Sequence, residues 1–497
     1  MEQDPNILFI LSDALRARNL QCYGYSRPVS PNIDALAQSG VLLSQAFSCA
    51  TVTDPSLTTI FSGRYQRAHG IMKHGVNRRA DIEKFNASGT PLLPEILKSR
   101  NYTTLAVDWL GRWHKRGYDC YTGPSKKRLG TRALYWIMDQ SSKRFRLFYS
   151  LMQQLFSVKR FVEDAQAVTD KAIELLQKFH QRNFFLFIHY WDTHYPYYSP
   201  DRYAKKFQAH DYGKNIRIHE INGVTPKPET AQVHHPVRYV PYRMDRWTQK
   251  DSDGMINSNE VLTKYDASIA YVDHQVGRLL EATKDLGVYD NTLIIFTSDH
   301  GESLTEHEIY FDHHGLYDVT LHVPLILKHP ELPRHKRVDG LVQHTDITPT
   351  VLDVLGITHA SSASDGTSLL PLIFSEKDQL HDALYFDEVD WERKSAIRTR
   401  DHKYIYSPSK ADAFCRRCGR IHGGLEELYN LKEDSEEVIN IVQSETALAG
   451  SLKRRLDDWI QSIGSPKGKT CQASQPLPID DGEKQEIAER LKKLGYL

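Results

Sequence analysis

Three apolar runs along the chain share one plan. "NILFIL" (6–11), "NFFLFIHYW" (183–191) and "NTLIIF" (291–296) each open at an asparagine, continue through branched and aromatic residues, and give way to polar ones. A run that is apolar at every position predicts a strand buried on both faces, the setting found inside a parallel sheet covered by helices. Between the runs the period becomes helical. "SPNIDALAQSG" places Ser30 as a cap before Pro31 and Gly40 as a stop, and "TPLLPEILKSRN" follows the same period. Strands alternating with helices predict an α/β fold whose ligands lie beyond the carboxyl ends of the strands. Asp13, Asp192 and Asp299 each stand just past such an end and are expected to converge.

The pattern changes after about residue 375. "ALYFDEV", "SAIRTRDHKYIYS" and "EELYNL" read as short strands and "EKQEIAERLKKLG" as a closing amphipathic helix, together a small α+β domain with an antiparallel sheet. The chain therefore divides into 1–375 and 376–497, in keeping with 497 residues being long for one core. Residues 126–161 carry nine Lys or Arg against one acid, interleaved with aromatic and aliphatic residues. They read as a cationic amphipathic insertion against an anionic membrane or polyanionic substrate, or as a helical lid or oligomer contact with a solvated basic face. Residues 204–260, rich in His, Arg, Lys and Pro, read as a long excursion over the active-site face.

Composition adds mainly exclusions. Lys+Arg and Asp+Glu balance at 63 each, so no whole-chain charge favours nucleic acid. The opening "MEQDPNILFILSDALR" is too acidic and its apolar run too short for a signal peptide, and no run of about 18 apolar residues follows. Six cysteines are sparse for a disulfide framework, and the expectation is a soluble, cytoplasmic chain in a reducing compartment. "CRRCGRIH" departs from this background: Cys415, Cys418 and His422 are spaced for a structural zinc, with Cys471 as a fourth ligand, the alternative being thiols on a loop.

The chemistry concentrates at the strand ends. In "SDHGE", Asp299 and His300 offer an oxygen and a nitrogen to one divalent metal, and Asp13 from a second strand end completes three donors, leaving room for substrate. Mn, Zn, Ca and Mg all suit such a set. "HYWDTHYPYY" adds Asp192 and His194; His194 is placed to bond an oxyanion, protonate a leaving group or ligate a second metal. "EHEIYFDHHGLYD" brings His307, His313 and His314.

Taken in order, Asp13 with "LRARNLQCYGY", then "TVTDPSLTTIFSGRY", "HYWDTHYPY", "FTSDHGE", "YDVTLHVPLIL", "HTDITPTVLDVLGI" and "ELYNLKEDSEEVINI", the chain resembles the sulfatase family of the alkaline phosphatase superfamily, except over about 120–180 and 204–260. The resemblance implies a mixed, mainly parallel sheet between helix layers with a small C-terminal domain. It also implies a divalent metal and cleavage or transfer of sulfate or phosphate esters through a covalent intermediate. On the family pattern of Cys or Ser, any residue, Pro, Ser, Arg, then six residues to Gly-Arg, the matches are Pro55, Ser56, Gly63 and Arg64. The nucleophile position is then Thr53, and Leu57 stands where the family has Arg.

Threonine is not a formylglycine precursor. The resemblance therefore turns toward the superfamily's phosphodiesterases, phosphonate monoester hydrolases and phosphotransferases, in which a threonine activated by a divalent cation attacks phosphorus directly. Thr53 would belong to the metal set with Asp13, Asp299 and His300. By the same carry-over Ala14 replaces a second Asp, His74 an Asn and His313 a Lys, while Arg112 and His114 of "GRWH" fall on the Lys and His of "GKWH" and contact substrate together with Asp192. Arg64 is read as a support behind the nucleophile turn, and Asp54 as the cap of a helix starting at Pro55 whose positive end underlies Thr53.

A threonine sulfate ester lacks the hemiacetal exit of formylglycine and must be cleaved at the heteroatom, which phosphorus permits more readily than sulfur. The leading reading is hydrolysis of a phosphodiester or phosphonate monoester, with Thr53 as nucleophile and His194, His313 and His74 stabilising the transferred group. Transfer of phosphoethanolamine or phosphoglycerol to a glycan or lipid, sulfate ester hydrolysis, and an inactive scaffold are the alternatives. The substrate is expected to be a small-molecule, glycan or lipid head-group ester, and the insertions offer surface for a homo-oligomer.

Overall fold

The computed structural model describes residues 4–75, 79–123, 164–207, 217–219, 255–357, 364–417 and 419–463. The basic segment 126–161, most of 204–260, Cys418, Cys471 and the closing helical pattern from 483 lie outside the described residues.

The strands are β1 (Asn6–Ser12), β2 (Val41–Phe47), β3 (Thr103–Val107), β4 (Cys120–Thr122), β5 (Phe184–Tyr190), β6 (Arg217–His219), β7 (Met255–Asn257), β8 (Thr292–Thr297), β9 (Leu325–Lys328), β10 (Lys336–Gln343), β11 (Leu384–Glu388), β12 (Lys394–Arg398), β13 (His402–Tyr406) and β14 (Glu426–Asn430). The large sheet has the order β10-β2-β9-β8-β1-β5-β3-β4. The three apolar runs are its centre: β1 lies between β5 and β8, parallel to both, and every residue of the three is buried. Only β9 runs against its neighbours, β2 and β8. β6 and β7 pair with each other as a separate ribbon.

Successive side chains on a strand point to opposite faces, so a continuous apolar run feeds two cores at once. Ile7, Phe9, Leu11, Phe187 and Ile295 enter the core that holds Leu57 and Ile60, while Leu8, Ile10, Ile188 and Phe296 enter the one that holds Leu176 and Tyr265. The first core is closed by α2 (Thr53–Ser62) and the helix Ile347–Val354. The second is closed by α1 (Pro31–Gln38) and the helices Ala165–Phe179 and Ser258–Asp285.

α1 starts at Pro31 as its sequence predicts, but Ser30 does not cap it. The Ser30 hydroxyl bonds the Asp34 carboxylate instead, and Asp273 of the helix Ser258–Asp285 accepts the amides of Asn32 and Ile33, both at 2.9 Å. A carboxylate attracts the positive end of a helix more strongly than a hydroxyl does.

β11 to β14 form an antiparallel meander. Its Leu384, Phe386, Ala396 and Ile405 pack on Phe47, Tyr317 and Leu321, while Ile397, Tyr404 and Leu428 pack on Leu452, Leu456 and Trp459 of the helix Thr446–Ser462. No helix among the described residues is long and apolar enough to cross a membrane.

Candidate active site at the carboxyl edge of the sheet

The turn after β1 is tied to the end of β5 and, through its amides, to side chains of the turn after β8. The Asp13 amide extends the strand pairing by donating to the Tyr190 carbonyl at 2.8 Å, and Thr193 Oγ1 donates to the Asp13 carbonyl. Ala14, with φ of +55°, aims its amide at Asp299 Oδ1 (3.2 Å) and its carbonyl at the Tyr265 hydroxyl (2.9 Å); the Leu15 amide donates to Ser298 Oγ at 2.9 Å. Asp299 Oδ1 also takes the His300 amide. His300 Nδ1 donates to the Gly301 carbonyl at 2.8 Å, which assigns the proton to that nitrogen and leaves Nε2 a lone pair. Gly301 is required by close approach, since a Cβ there would lie 2.3 Å from the Val319 carbonyl oxygen.

These constraints bring Asp13, Asp299 and His300 together as the sequence predicts, with ligand atoms all within 4.8 Å of one another. Both carboxylate oxygens of Asp13, Oδ2 of Asp299 and Nε2 of His300 are buried and have no hydrogen-bond partner. Two buried carboxylates facing a lone pair are strongly unfavourable unless a positive charge satisfies them. The oxygen and imidazole donor set fits a divalent cation and does not by itself select one metal.

Asp13 is oriented from behind. His189, inside β5, donates Nδ1 to Asp108 Oδ1 at 3.0 Å and sets Nε2 3.5 Å from Asp13 Oδ2, a carboxylate–imidazole–carboxylate chain of the kind that fixes metal ligands. Neither His189 nor Asp108 was singled out from sequence. The available signal was His189 itself, a polar residue within a run otherwise apolar on both faces.

Thr53 opens α2, reached from the carboxyl end of β2, and its Oγ1 is buried without a hydrogen-bond partner. Asp54 does not cap this helix: Val52 holds the cap position, and the Asp54 carboxylate instead takes Arg112 Nη2 at 2.6 Å, His114 Nε2 at 3.0 Å and the Gly75 amide at 2.8 Å. A guanidinium gives a stronger charge-assisted bond than a helix amide, which explains the departure. Burial alone would raise the Asp54 pKa, but Arg112 and the hydrogen bond from His114 hold it far below the usual carboxylate range. Arg112 and His114 are thus tied to the residue beside Thr53. His74 Nδ1 lies 3.3 Å from the Asp54 amide, and burial pushes its pKa down to about 4, so the ring is neutral.

On the opposite side, His194 Nδ1 donates to the Tyr195 carbonyl at 2.8 Å, which turns Nε2 into the acceptor; burial lowers its pKa. The His313 ring lies 4.3 Å from that of His300 and 5.2 Å from that of His194, and burial together with His300 keeps it neutral. Arg417, not foreseen from sequence, arrives from the loop before β14. It pairs with Asp312, donates to the Tyr195 hydroxyl at 3.2 Å and lies over the Trp391 ring.

Other singled-out residues have contacts of their own. Asp192 Oδ1 accepts the Ala165 amide at 3.1 Å at the start of a helix and does not belong to the clustered ligand set among the described residues. His307 stacks on Tyr317 at 3.6 Å, and His314 turns toward Cys415 and His422. Of the zinc quartet expected from sequence, Cys418 and Cys471 lie outside the described residues, and His314 joins the other two, Cys415 and His422. Arg64 reaches Thr90 and Asp365 behind the end of α2.

A family model described as Sulfatase matches residues 5–357. The chain belongs to the sulfatase family. A second model, for the C-terminal part of N-sulphoglucosamine sulphohydrolase, matches residues 305–462. The Uncharacterized sulfatase YidJ of Escherichia coli K12 is 25% identical over 371 residues, spanning 71% of this chain and 68% of its own. The structure of BT4656 in complex with its substrate D-glucosamine-2-N,6-O-disulfate is similar with a TM-score of 0.66 at 18% identity, over 94% of this chain and 100% of the other. The phosphonate monoester hydrolase of Agrobacterium radiobacter superposes with a TM-score of 0.64 at 19% identity, over 92% and 96%. The fold is shared with these solved enzymes, and the protein is a sulfatase-family hydrolase of ester bonds, a family whose members are metal-dependent.

Proposed function

We propose that this sulfatase-family member hydrolyses phosphate esters, either diesters or phosphonate monoesters, with Thr53 as the nucleophile. The observation that carries the reading is the Thr53 hydroxyl: it stands at the nucleophile position of the family pattern, buried, without a hydrogen-bond partner, at the amino end of α2. Asp13, Asp299 and His300 would hold a divalent cation, which when bound supplies the Lewis acidity that makes a nearby hydroxyl acidic and draws charge from phosphoryl oxygens. The amino end of α2 favours negative charge on the group attached to Thr53.

In the first half-reaction the Thr53 Oγ1–P bond forms, the bond from phosphorus to the alcohol breaks, and the alkoxide leaves with a proton. His194 Nε2, the ring's acceptor because its Nδ1–H is committed to Tyr195, takes the Thr53 proton and hands it to that departing alkoxide. In the second, water attacks phosphorus and Thr53 leaves. Asp54 keeps Arg112 and His114 at the Thr53 end of the site, where they support an anionic ester. A threonine ester exits only by cleavage at the heteroatom, which favours phosphorus over sulfur.

The test is a substrate panel of aryl phosphodiester, phosphonate monoester, phosphomonoester and sulfate with Mn, Zn, Ca or Mg. Thr53→Ala is expected to lose at least about 10³-fold in kcat on the phosphorus substrates, and acid-quenched protein should carry the phosphoryl mass on the peptide containing Thr53. Equal rates for variant and wild type would remove Thr53 from the reaction. A preference for sulfate would replace the phosphate reading by sulfate ester hydrolysis, which family membership supports.

A further inference from the structure

A second cluster of metal-ligating side chains lies behind the active site, between the long connection that follows β8 and the loop that precedes β14. His314, Cys415 and His422 are 1%, 0% and 4% exposed, and their ligand atoms all fall within 4.8 Å of one another. Cys415 and His422 are presented by a tight loop, closed by the bridge between Phe414 and Ile421 and by the bonds Cys415 N to Arg420 O (2.7 Å) and Gly419 N to Cys415 O (2.8 Å). His422 Nδ1 donates to the His307 carbonyl at 3.0 Å, so its Nε2 carries the lone pair, the arrangement that commonly fixes a ligating imidazole. Neither ring nitrogen of His314 has a hydrogen-bond partner, and its ring centroid is 5.2 Å from that of His422.

We propose that His314, Cys415 and His422 bind a zinc ion, distinct from the cation at Asp13, Asp299 and His300. One thiolate and two imidazoles form a borderline-soft set that suits zinc and disfavours Mg, Ca and Mn. Three protein ligands leave a fourth position for water or a further ligand. The surrounding charge points the same way. Glu388 is buried with Oε2 on the Gly315 amide (2.7 Å) and Oε1 unbonded, and Glu392 is buried with no hydrogen bond on either oxygen. Lys394, a cation beside them, is shared between Glu427 at 3.0 Å and Glu392 at 3.6 Å. A dication offsets that negative surplus. A Cys–His nucleophilic pair is the other chemistry such residues offer, but Cys415 is fully buried and a nucleophile must meet its substrate.

The site ties two segments that each reach the active site. His313, next to His314, packs on His300, and Arg417, two residues after Cys415, binds Asp312 and Tyr195. Zinc would therefore set the position of His313 and Arg417 rather than take part in bond cleavage, whichever ester is the substrate.

The full-length protein, produced with zinc and dialysed, is measured by elemental analysis and zinc X-ray absorption. The expected result is retained zinc of which one ion has a sulfur neighbour at about 2.3 Å. Asp13→Asn should keep that zinc and Cys415→Ser should lose it. The cobalt-loaded wild type should show a thiolate-to-cobalt charge-transfer band that persists in Thr53→Ala and disappears in Cys415→Ser. A wild type without sulfur-bound zinc overturns the proposal even if Cys415→Ser fails to fold, and a charge-transfer band unchanged by Cys415→Ser does the same.

Discussion

Thr53 and Asp54 are adjacent in sequence and opposite in circumstance: the hydroxyl has no hydrogen-bond partner, while the carboxylate is held by a guanidinium, an imidazole and an amide. Removing one side of a largely buried ion pair leaves the other uncompensated, so Asp54→Ala should destabilise the fold by about 3–5 kcal/mol in urea titrations. Removal of the exposed Arg79–Glu83 pair should leave the midpoint unchanged. His381 provides a pH-dependent case. Burial opposes its protonation, yet Asp346, at 3.0 and 2.9 Å, raises its pKa above 6.5. The folded state holds this proton more tightly, so the pair's contribution is complete below the unfolded pKa and is lost as pH rises through the folded one. His381→Ala should therefore lower stability more at about pH 5.5 than at about pH 9; an equal loss at both would remove the charged pair from the account. The ligands Asp13, Asp299 and His300 were legible because each directly follows a buried apolar run. Asp108 and Arg417 were not, since their roles depend on contacts distant in sequence.

At the scale of elements, continuous apolar runs located β1, β5 and β8 because only a strand covered on both faces is apolar at every position. The helix Thr446–Ser462 was missed, although Leu452, Leu456 and Trp459 recur at helical spacing and meet the small sheet. Caps were the least legible feature. Ser30 and Asp54 have the right chemistry in the right places, but a carboxylate from another helix outcompetes the first, and Arg112 draws away the second. Asp273→Ala should thus shorten α1 and lower stability by about 1–2 kcal/mol, read as a lower urea midpoint together with faster amide exchange at Asn32 and Ile33. Gly301→Ala tests the packing of the turn after β8. Its new Cβ would meet the Val319 carbonyl oxygen at 2.3 Å, so the turn must shift at a cost of about 1–3 kcal/mol. Activity should fall further than stability alone explains, because His300 is the preceding residue.

Over the whole molecule, the strand ends gather ligands whose mutual repulsion opposes folding until a cation arrives. Saturating that site at about 100 times its dissociation constant should add about 2.7 kcal/mol to stability. Manganese added to chelator-treated protein should raise the thermal midpoint, and Asp13→Asn should abolish most of that rise. Manganese is informative here because a thiolate-containing site binds it poorly. The one reversed strand, β9, has a further consequence. Because β8 and β9 are antiparallel neighbours, residues 298–324 leave the sheet and return to it through adjacent strands. The whole stretch carrying Asp299, His300, His313 and His314 is therefore a cassette rather than part of a crossover. Both of its ends are fixed on neighbouring strands, so a change of side chain within it can reshape the site while the parallel connections of the sheet stay as they are.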